Sequence, residues 1–460
     1  MLEWGKLLNG TRRKDLEGGK NESQSAAGRM ELERDYDRIL FATPTRRMAD
    51  KTQVFPLESI DSVRTRLTHS HEVANLARSI GVRLAFEKAD EVFGEEADEL
   101  KVQRVVPSLL AAIGLAHDIG NPPFGHQGEV AIREWFRENL TKEIEKEPDL
   151  VDFTEFDGNA QTLRMLTRLQ ILNDDYGLNL TFSTLASLIK YPQFASSKDK
   201  IFKKPGIFHS ERAIVEEIWK HTGLSEGVRH PFTYVMEACD DIAYSVIDAE
   251  DIVKKGLASY QDLISFLRKN NTNGDGQTLS LIERAERKHQ EFQSDELSGY
   301  ELSDISMQMF RVYAIAIMIE DCVESFVRDK KIIMSGNPQD YELIAESRSK
   351  FLCKNLKNFA KEFGFKHKEV LKLELKGSHL IKETLDMLWE AINDNSGSSL
   401  FDKYAKAKIS ESYTRVFNSR EDKETIYAKA QLLADFVSGM TDTYLINFHE
   451  DLKSLYVKKS

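Results

Sequence analysis

The segment ISMQMFRVYAIAIMIEDCVESFV at 305–327 repeats apolar residues at the three- and four-residue spacing of a helix face. The same period runs through LTHSHEVANLARSIGVRLAFEKA (67–89), where Leu67, Val73, Leu76, Ala77, Ile80 and Leu84 fall at helical spacing. It returns in ERAIVEEIWKHTG (211–223), KEVLKLELKGSHLIKETLDMLWEAI (368–392) and LLADFVSGMTDTYLINFHEDLKSLY (432–456). Ten prolines in 460 residues interrupt it rarely. No Asn-Gly turn joins alternating stretches, and strands do not alternate with helices. The pattern predicts an all-α fold, mostly helices with at most a small β-hairpin, at LKLELKGS (371–378). Polar stretches at 14–33, 268–278 and 393–399 read as loops.

Apolar residues make up 41% of the chain, enough for a large core, and the net charge of −12 argues against a globally basic nucleic-acid binder. An acidic chain that handles phosphates must gather its Lys and Arg in one place. Cys239, Cys322 and Cys353 are far apart, form no CxxC and fit a reducing compartment. The N-terminal residues lack the apolar core of a signal peptide. The apolar stretch VVPSLLAAIGLA is too short to span a bilayer. The chain therefore reads as cytoplasmic, with no membrane partner.

That apolar stretch ends in His117-Asp118, followed by the break Gly-Asn-Pro-Pro and then by His126 and Glu129. Imidazole plus carboxylate is a ligand mix that suits Mn, Fe, Zn or Mg. Two ligands do not hold an ion, so others must come from elsewhere. His69, opening an amphipathic helix, is one candidate; His71 is near, but residues two apart do not share a face. Asp240 or Asp241 in YVMEACDDIAYSVIDAED (234–251) is another, and Asp240, Tyr244 and Asp248 stack at four-residue spacing. Against this, a lone histidine is more often packed or exposed than ligating, and lysines are mostly solvated.

Several blocks together carry a resemblance: ERDYDRILF (33–41), RRMADKTQVFPL (46–57), SVRTRLTHSHEVANLARSI (62–80), GLAHDIGNPPFGHQGE (114–129), FDGNAQTLRML (156–166), LIKYP (188–192), FKKPGIF (202–208), MEACDDIAYSVIDAED (236–251) and SGMTDTY (438–444). With the order H…HD…D, they resemble the deoxyguanosine-triphosphate triphosphohydrolases of the HD-domain metal phosphohydrolases. The resemblance implies one large α-helical domain over 1–460, with an HD core near 60–250 and a C-terminal helical region near 280–460. It implies His69, His117, Asp118 and Asp240 as metal ligands and His126 with Glu129 as the catalytic pair. It places Arg66, Asn159, Lys190, Tyr191 and Lys204 along a triphosphate, Gln53 and Val54 at sugar and base, and Tyr244 and Asp248 at the sugar. Cys239 stands where the family pattern has Ala. The region 393–430 matches weakly, and base-reading residues are expected there or beyond it.

The reaction so implied is hydrolysis of dGTP, and of other dNTPs, to deoxynucleoside and inorganic triphosphate. The expected cofactor is a divalent ion, Mg or Mn, with Fe or Zn as alternatives. A homo-oligomer (tetramer or hexamer) and single-stranded DNA as an effector are the other implied partners. The competing readings are another HD phosphohydrolase, such as a 5′-nucleotidase or alarmone hydrolase, and a single-stranded nucleic-acid-binding HD protein.

Overall fold

The computed structural model describes residues 1–17, 28–54, 64–170, 174–293, 296–336, 341–394 and 399–456. Parts of the expected loops (18–27 and 395–398) and parts of two matching blocks (55–57 and 62–63) lie outside the described residues. Among the described residues the fold is helical. The only β pairings found there are isolated bridges, such as Thr52 with Thr65. The helices used below are α1 (Arg66–Val82), α2 (Val102–Ala116), α3 (Gly125–Leu140), α4 (Gly158–Arg164), α5 (Pro231–Lys254), α6 (Gly299–Arg328), α7 (Lys350–Ala360), α8 (Lys368–Asn393), α9 (Ile426–Ser438) and α10 (Asp442–Leu455).

The chain forms two compact units. Unit 1 comprises Met1–Trp4, His71–Gly114 and Pro231–Leu371; unit 2 comprises Gly5–Ser70, Leu115–His230 and Lys372–Ser460.

In unit 1, α1 and α2 cross antiparallel at two glycines. A Cβ on Gly114 would lie 2.7 Å from the Cα of Ala74, and one on Gly81 would lie 3.0 Å from the Cα of Pro107. Backbone cannot yield at such distances, so both positions need glycine for close approach. The start of α1 is thereby set beside the end of α2. Helix α6 is long and apolar enough to cross a membrane by length and composition. One of its faces packs in the core through Met307, Phe310, Ala314, Met318 and Phe326, while Val312 on the other side is exposed. The buried Asp321 of α6 accepts hydrogen bonds from Gln277, Arg348 and Ser349.

In unit 2, a loop of 117–124 joins α2 to α3. Gly120 lies flat on α4, where any side chain would strike the backbone of Gly158 and Thr162. Phe124 adopts the left-handed conformation, φ 58°, which a bulky residue enters only under restraint. The restraint is visible: its N–H donates to Asp442 Oδ1 at 2.9 Å, and its ring lies against Gly377 of α8.

Gly377 settles the expected hairpin at 371–378, which is instead part of the continuous helix α8. The Leu-Lys-Leu-Glu-Leu alternation imitates a strand, yet Leu371 and Leu375 are four apart and both exposed. Gly377 is there to admit the Phe124 ring, not to turn the chain. Three other expectations shift at their edges. Residues 14–17 and 31–33 of the expected loop at 14–33 belong to the helices Arg13–Glu17 and Glu31–Leu40. Residues 268–270 end a helix, and Gly276 opens the next with Asp275 as its cap, so only the middle of 268–278 is loop. The period across 432–456 breaks at 439–441 between α9 and α10, where a Cβ on Gly439 would overlap the Tyr413 hydroxyl.

Candidate active site

The first turn of α1 brings Arg66 and His69 into unit 2, both buried, at 6% and 2% exposure. His117 and Asp118 follow immediately after α2. The antiparallel crossing at Ala74 and Gly114 predicts that His69 and His117 meet, and they do. Their ring centroids are 5.5 Å apart, and one ring nitrogen of each lies within 4.8 Å of the other. His71 is exposed, on the outward side of α1. Asp118 Oδ1 is 3.6 Å from His117 Nε2 and accepts from Asn121 Nδ2 at 2.5 Å. Its Oδ2 accepts from Arg66 Nη1, also at 2.5 Å. Two imidazoles that meet, with a carboxylate beside one of them, are donors that fit a divalent transition metal. The Arg66 guanidinium orients the carboxylate from behind, as a supporting hydrogen bond does for a ligand.

Beyond the break, His126 and Glu129 are one turn apart on α3. His126 is largely exposed, whereas Glu129 is buried. The Glu129 carboxylate is fixed from two sides: Oε1 accepts from the Gly158 N–H at 2.7 Å and Oε2 contacts His126 Nδ1 at 3.2 Å. A Cβ on Gly158 would clash with Asn121 Oδ1 and come within 2.8 Å of Glu129 Oε1. Gly158 therefore packs closely between Asn121 of the Asp118 loop and the Glu129 carboxylate. On α8, the Glu374 carboxyl faces His126 and is pushed up by burial.

Asp157 caps α4 and is 1% exposed. Its Oδ1 accepts from both the backbone and the side chain of Asn159, at 2.9 and 2.7 Å. Its Oδ2 accepts from Lys204 Nζ at 2.8 Å. Burial opposes the Lys204 charge, but Asp157 and Glu129 outweigh it and hold the ammonium above its ordinary pKa. Tyr191 packs beside this loop, its ring 6.0 Å from that of Phe202 and 5.7 Å from Lys190 Nζ. Gln53 and Val54 follow a segment bound to the start of α1 through Arg66 N–H to Lys51 O at 3.0 Å. The Gln53 Oε1 and Arg66 Nε atoms are buried without a hydrogen-bond partner among the described residues. An unsatisfied buried polar atom is costly, so both are natural places for a ligand contact.

Lys51 and Asp442 escaped sequence reasoning, although both lie in quoted blocks. Lys51 Nζ donates to Asn121 O at 2.6 Å and Ser438 O at 2.7 Å, and burial lowers its pKa to about 7. Asp442, whose carboxyl burial pushes up, accepts from Thr52 and Phe124. Together they knot three distant segments around the 117–124 loop. A lysine in a polar block reads as surface, and only its burial shows otherwise.

In unit 1, α5 carries Asp240, Tyr244 and Asp248 on one face. Burial raises the Tyr244 pKa, and the nearby carboxylates of Asp248, Asp240 and Asp241 add to it. The Tyr244 ring also lies 5.7 Å from Phe365. Asp241 points elsewhere, into a 2.6 Å ion pair with Lys357 of α7. Cys239 is fully buried, and burial raises its thiol pKa, so it acts as a small core residue.

Paired histidines and an aspartate at the meeting ends of two antiparallel helices define an HD-domain phosphohydrolase, a metal-dependent hydrolase. The HD domain family matches residues 66–190, and the phosphohydrolase-associated domain matches 344–451. A protein of Listeria innocua named deoxyguanosinetriphosphate triphosphohydrolase-like is 35% identical over 99% of this chain and 100% of its own length. A probable deoxyguanosinetriphosphate triphosphohydrolase of Pseudomonas aeruginosa is 30% identical over 92% of this chain and 93% of its own. A deoxyguanosinetriphosphate triphosphohydrolase of Serratia proteamaculans is 30% identical over 90% and 92% respectively. The chain belongs to this family of deoxyguanosinetriphosphate triphosphohydrolases and their like.

Proposed function

We propose that this protein hydrolyses deoxynucleoside triphosphates, dGTP preferentially, to deoxynucleoside and inorganic triphosphate. The observation that carries the reading is the His126–Glu129 pair, a buried carboxylate held against an exposed imidazole. Family membership supports the same substrate class.

In this reading His69, His117, Asp118 and Asp240 hold a divalent ion, Mg or Mn, with Fe or Zn as alternatives. When bound, such an ion supplies positive charge at the α-phosphate and lowers the pKa of water. Glu129 engages Nδ1 of His126, which leaves Nε2 as the atom that exchanges a proton. From there Nε2 can give a proton to the departing 5′-oxygen or take one from the attacking water. Arg66, Asn159, Lys190, Tyr191 and Lys204 bind and orient the triphosphate. Gln53 and Val54 meet the sugar and base. Tyr244 fills the space a 2′-hydroxyl would need, and Asp248 contacts the 3′-hydroxyl.

The reading extends to a cytoplasmic homo-oligomer, tetramer or hexamer, with single-stranded DNA as an effector. The exposed apolar side of α6 supports self-association.

The test is a panel of the four dNTPs and GTP with Mg and Mn separately, assayed for inorganic triphosphate. Triphosphate release from dGTP ahead of the other nucleotides is expected. Release of orthophosphate or pyrophosphate instead would move the protein to another HD phosphohydrolase activity. A Tyr244→Ala variant is expected to raise GTP use relative to dGTP; an unchanged ratio would remove Tyr244 as the sugar gate.

A further inference from the structure

Two buried carboxylates compete for one ammonium beside the His126–Glu129 pair. Lys204 Nζ is 2.8 Å from Asp157 Oδ2 but 3.9 Å from Glu129 Oε2. That Glu129 oxygen is the one that contacts His126 Nδ1. A lysine ammonium is a mobile point charge on a four-carbon stem. Left to itself in so acidic a pocket, it would close on Glu129 and draw that charge away from the imidazole.

We infer that Asp157 is a positioning residue that holds Lys204 off Glu129 and thereby keeps the Glu129 carboxylate for His126. The inference rests on the functional reading above and adds a residue to it. The geometry assigns Asp157 this task in three ways. Its carboxylate is 1% exposed, so it is not a casual surface partner. Its other oxygen is anchored by the backbone and side chain of Asn159, so it cannot follow the lysine. The backbone N–H next to the cap, that of Gly158, binds the far oxygen of Glu129 and fixes the spacing between the two carboxylates. Lys204 is thus set in one place before an anion arrives, and its ordering entropy is spent during folding.

Asp157→Asn is the informative change. The amide retains an oxygen for the helix cap and loses the charge that holds Lys204. Turnover number for dGTP is expected to fall about tenfold, the size of one lost charge-assisted hydrogen bond. In a Lys204→Met background the same change is expected to leave the turnover number unaltered, because no ammonium remains to capture Glu129. The Michaelis constant of Lys204→Met rises in either background. Circular dichroism and melting temperature check that each variant folds, and Asp157→Glu is expected to recover part of the loss. Calorimetric binding of inorganic triphosphate supplies a readout apart from turnover and is expected to weaken in Asp157→Asn only while Lys204 is present.

Equal fractional losses from Asp157→Asn with and without Lys204 would show a purely structural role and overturn the inference, with the functional reading intact. A wild-type protein that neither binds triphosphate nor releases it from any dNTP would overturn both.

Discussion

At the residue scale, the adjacent aspartates of α5 lie on different sides of the helix. Asp240 shares a face with Tyr244 and Asp248, while Asp241 is committed to Lys357. Asp240→Ala is therefore expected to abolish metal-dependent turnover. Asp241→Ala leaves a half-buried ammonium without its partner and is expected to cost turnover less than about tenfold. Equal losses in the two variants, with circular dichroism unchanged, would reverse the ligand assignment. The four-residue spacing made this division legible beforehand, because neighbours on a helix point about 100° apart. Lys51 shows the opposite case. Nothing about one lysine in RRMADKTQVFPL announces that it is buried and bound to two carbonyls from distant segments.

At the element scale, the histidine pair is a product of helix crossing. Gly114 and Gly81 let α1 and α2 approach until backbone meets backbone, and this sets His69 beside His117. Gly114→Val is expected to force the helices apart, destabilising unit 1 by about 1–3 kcal/mol as overpacking does. Metal affinity is expected to fall with it, measured by competition with a chelating dye. Unchanged melting temperature and unchanged affinity would show that the crossing tolerates a side chain there. The apolar period announced both helices, and AAIGLA announced a glycine in one of them. What α1 crosses, and at which residue, was not written in either period. The mistaken hairpin at 371–378 has the same origin. Leu371, Leu373 and Leu375 alternate as a strand would, and Gly377 looks like a turn until the Phe124 ring is found against it.

At the scale of the whole molecule, the net charge of −12 means that any phosphate-binding groups must be gathered locally, and the three cations proposed for that task, Arg66, Lys190 and Lys204, all belong to unit 2. Unit 2 also buries charge for structure. Arg164 is held by Asp435 and Glu211, each within 2.7 Å, and the nearby Asp152 accepts from the Tyr427 hydroxyl at 2.8 Å and the His209 N–H at 2.5 Å. Burial raises the Asp152 pKa from its ordinary 3.8 to about 8. Between those values the folded state binds more protons than the unfolded chain. The resulting stabilisation is complete below pH 3.8 and is lost as pH rises through about 8. Wild-type melting temperature is expected to decline more steeply across that window than that of Asp152→Asn; parallel curves would show that Asp152 does not titrate there. The sequence by itself determined the all-helical class, the helices' apolar faces and the residues of the H…HD…D order, because periodicity and local chemistry are properties of neighbours along the chain. Only the tertiary structure decided which carboxylate holds Lys204, which glycine admits which neighbour, and that Lys51 and Asp442 brace the loop beyond His117-Asp118. Those are contacts between residues tens to hundreds of positions apart, fixed by packing and burial, which no local pattern encodes.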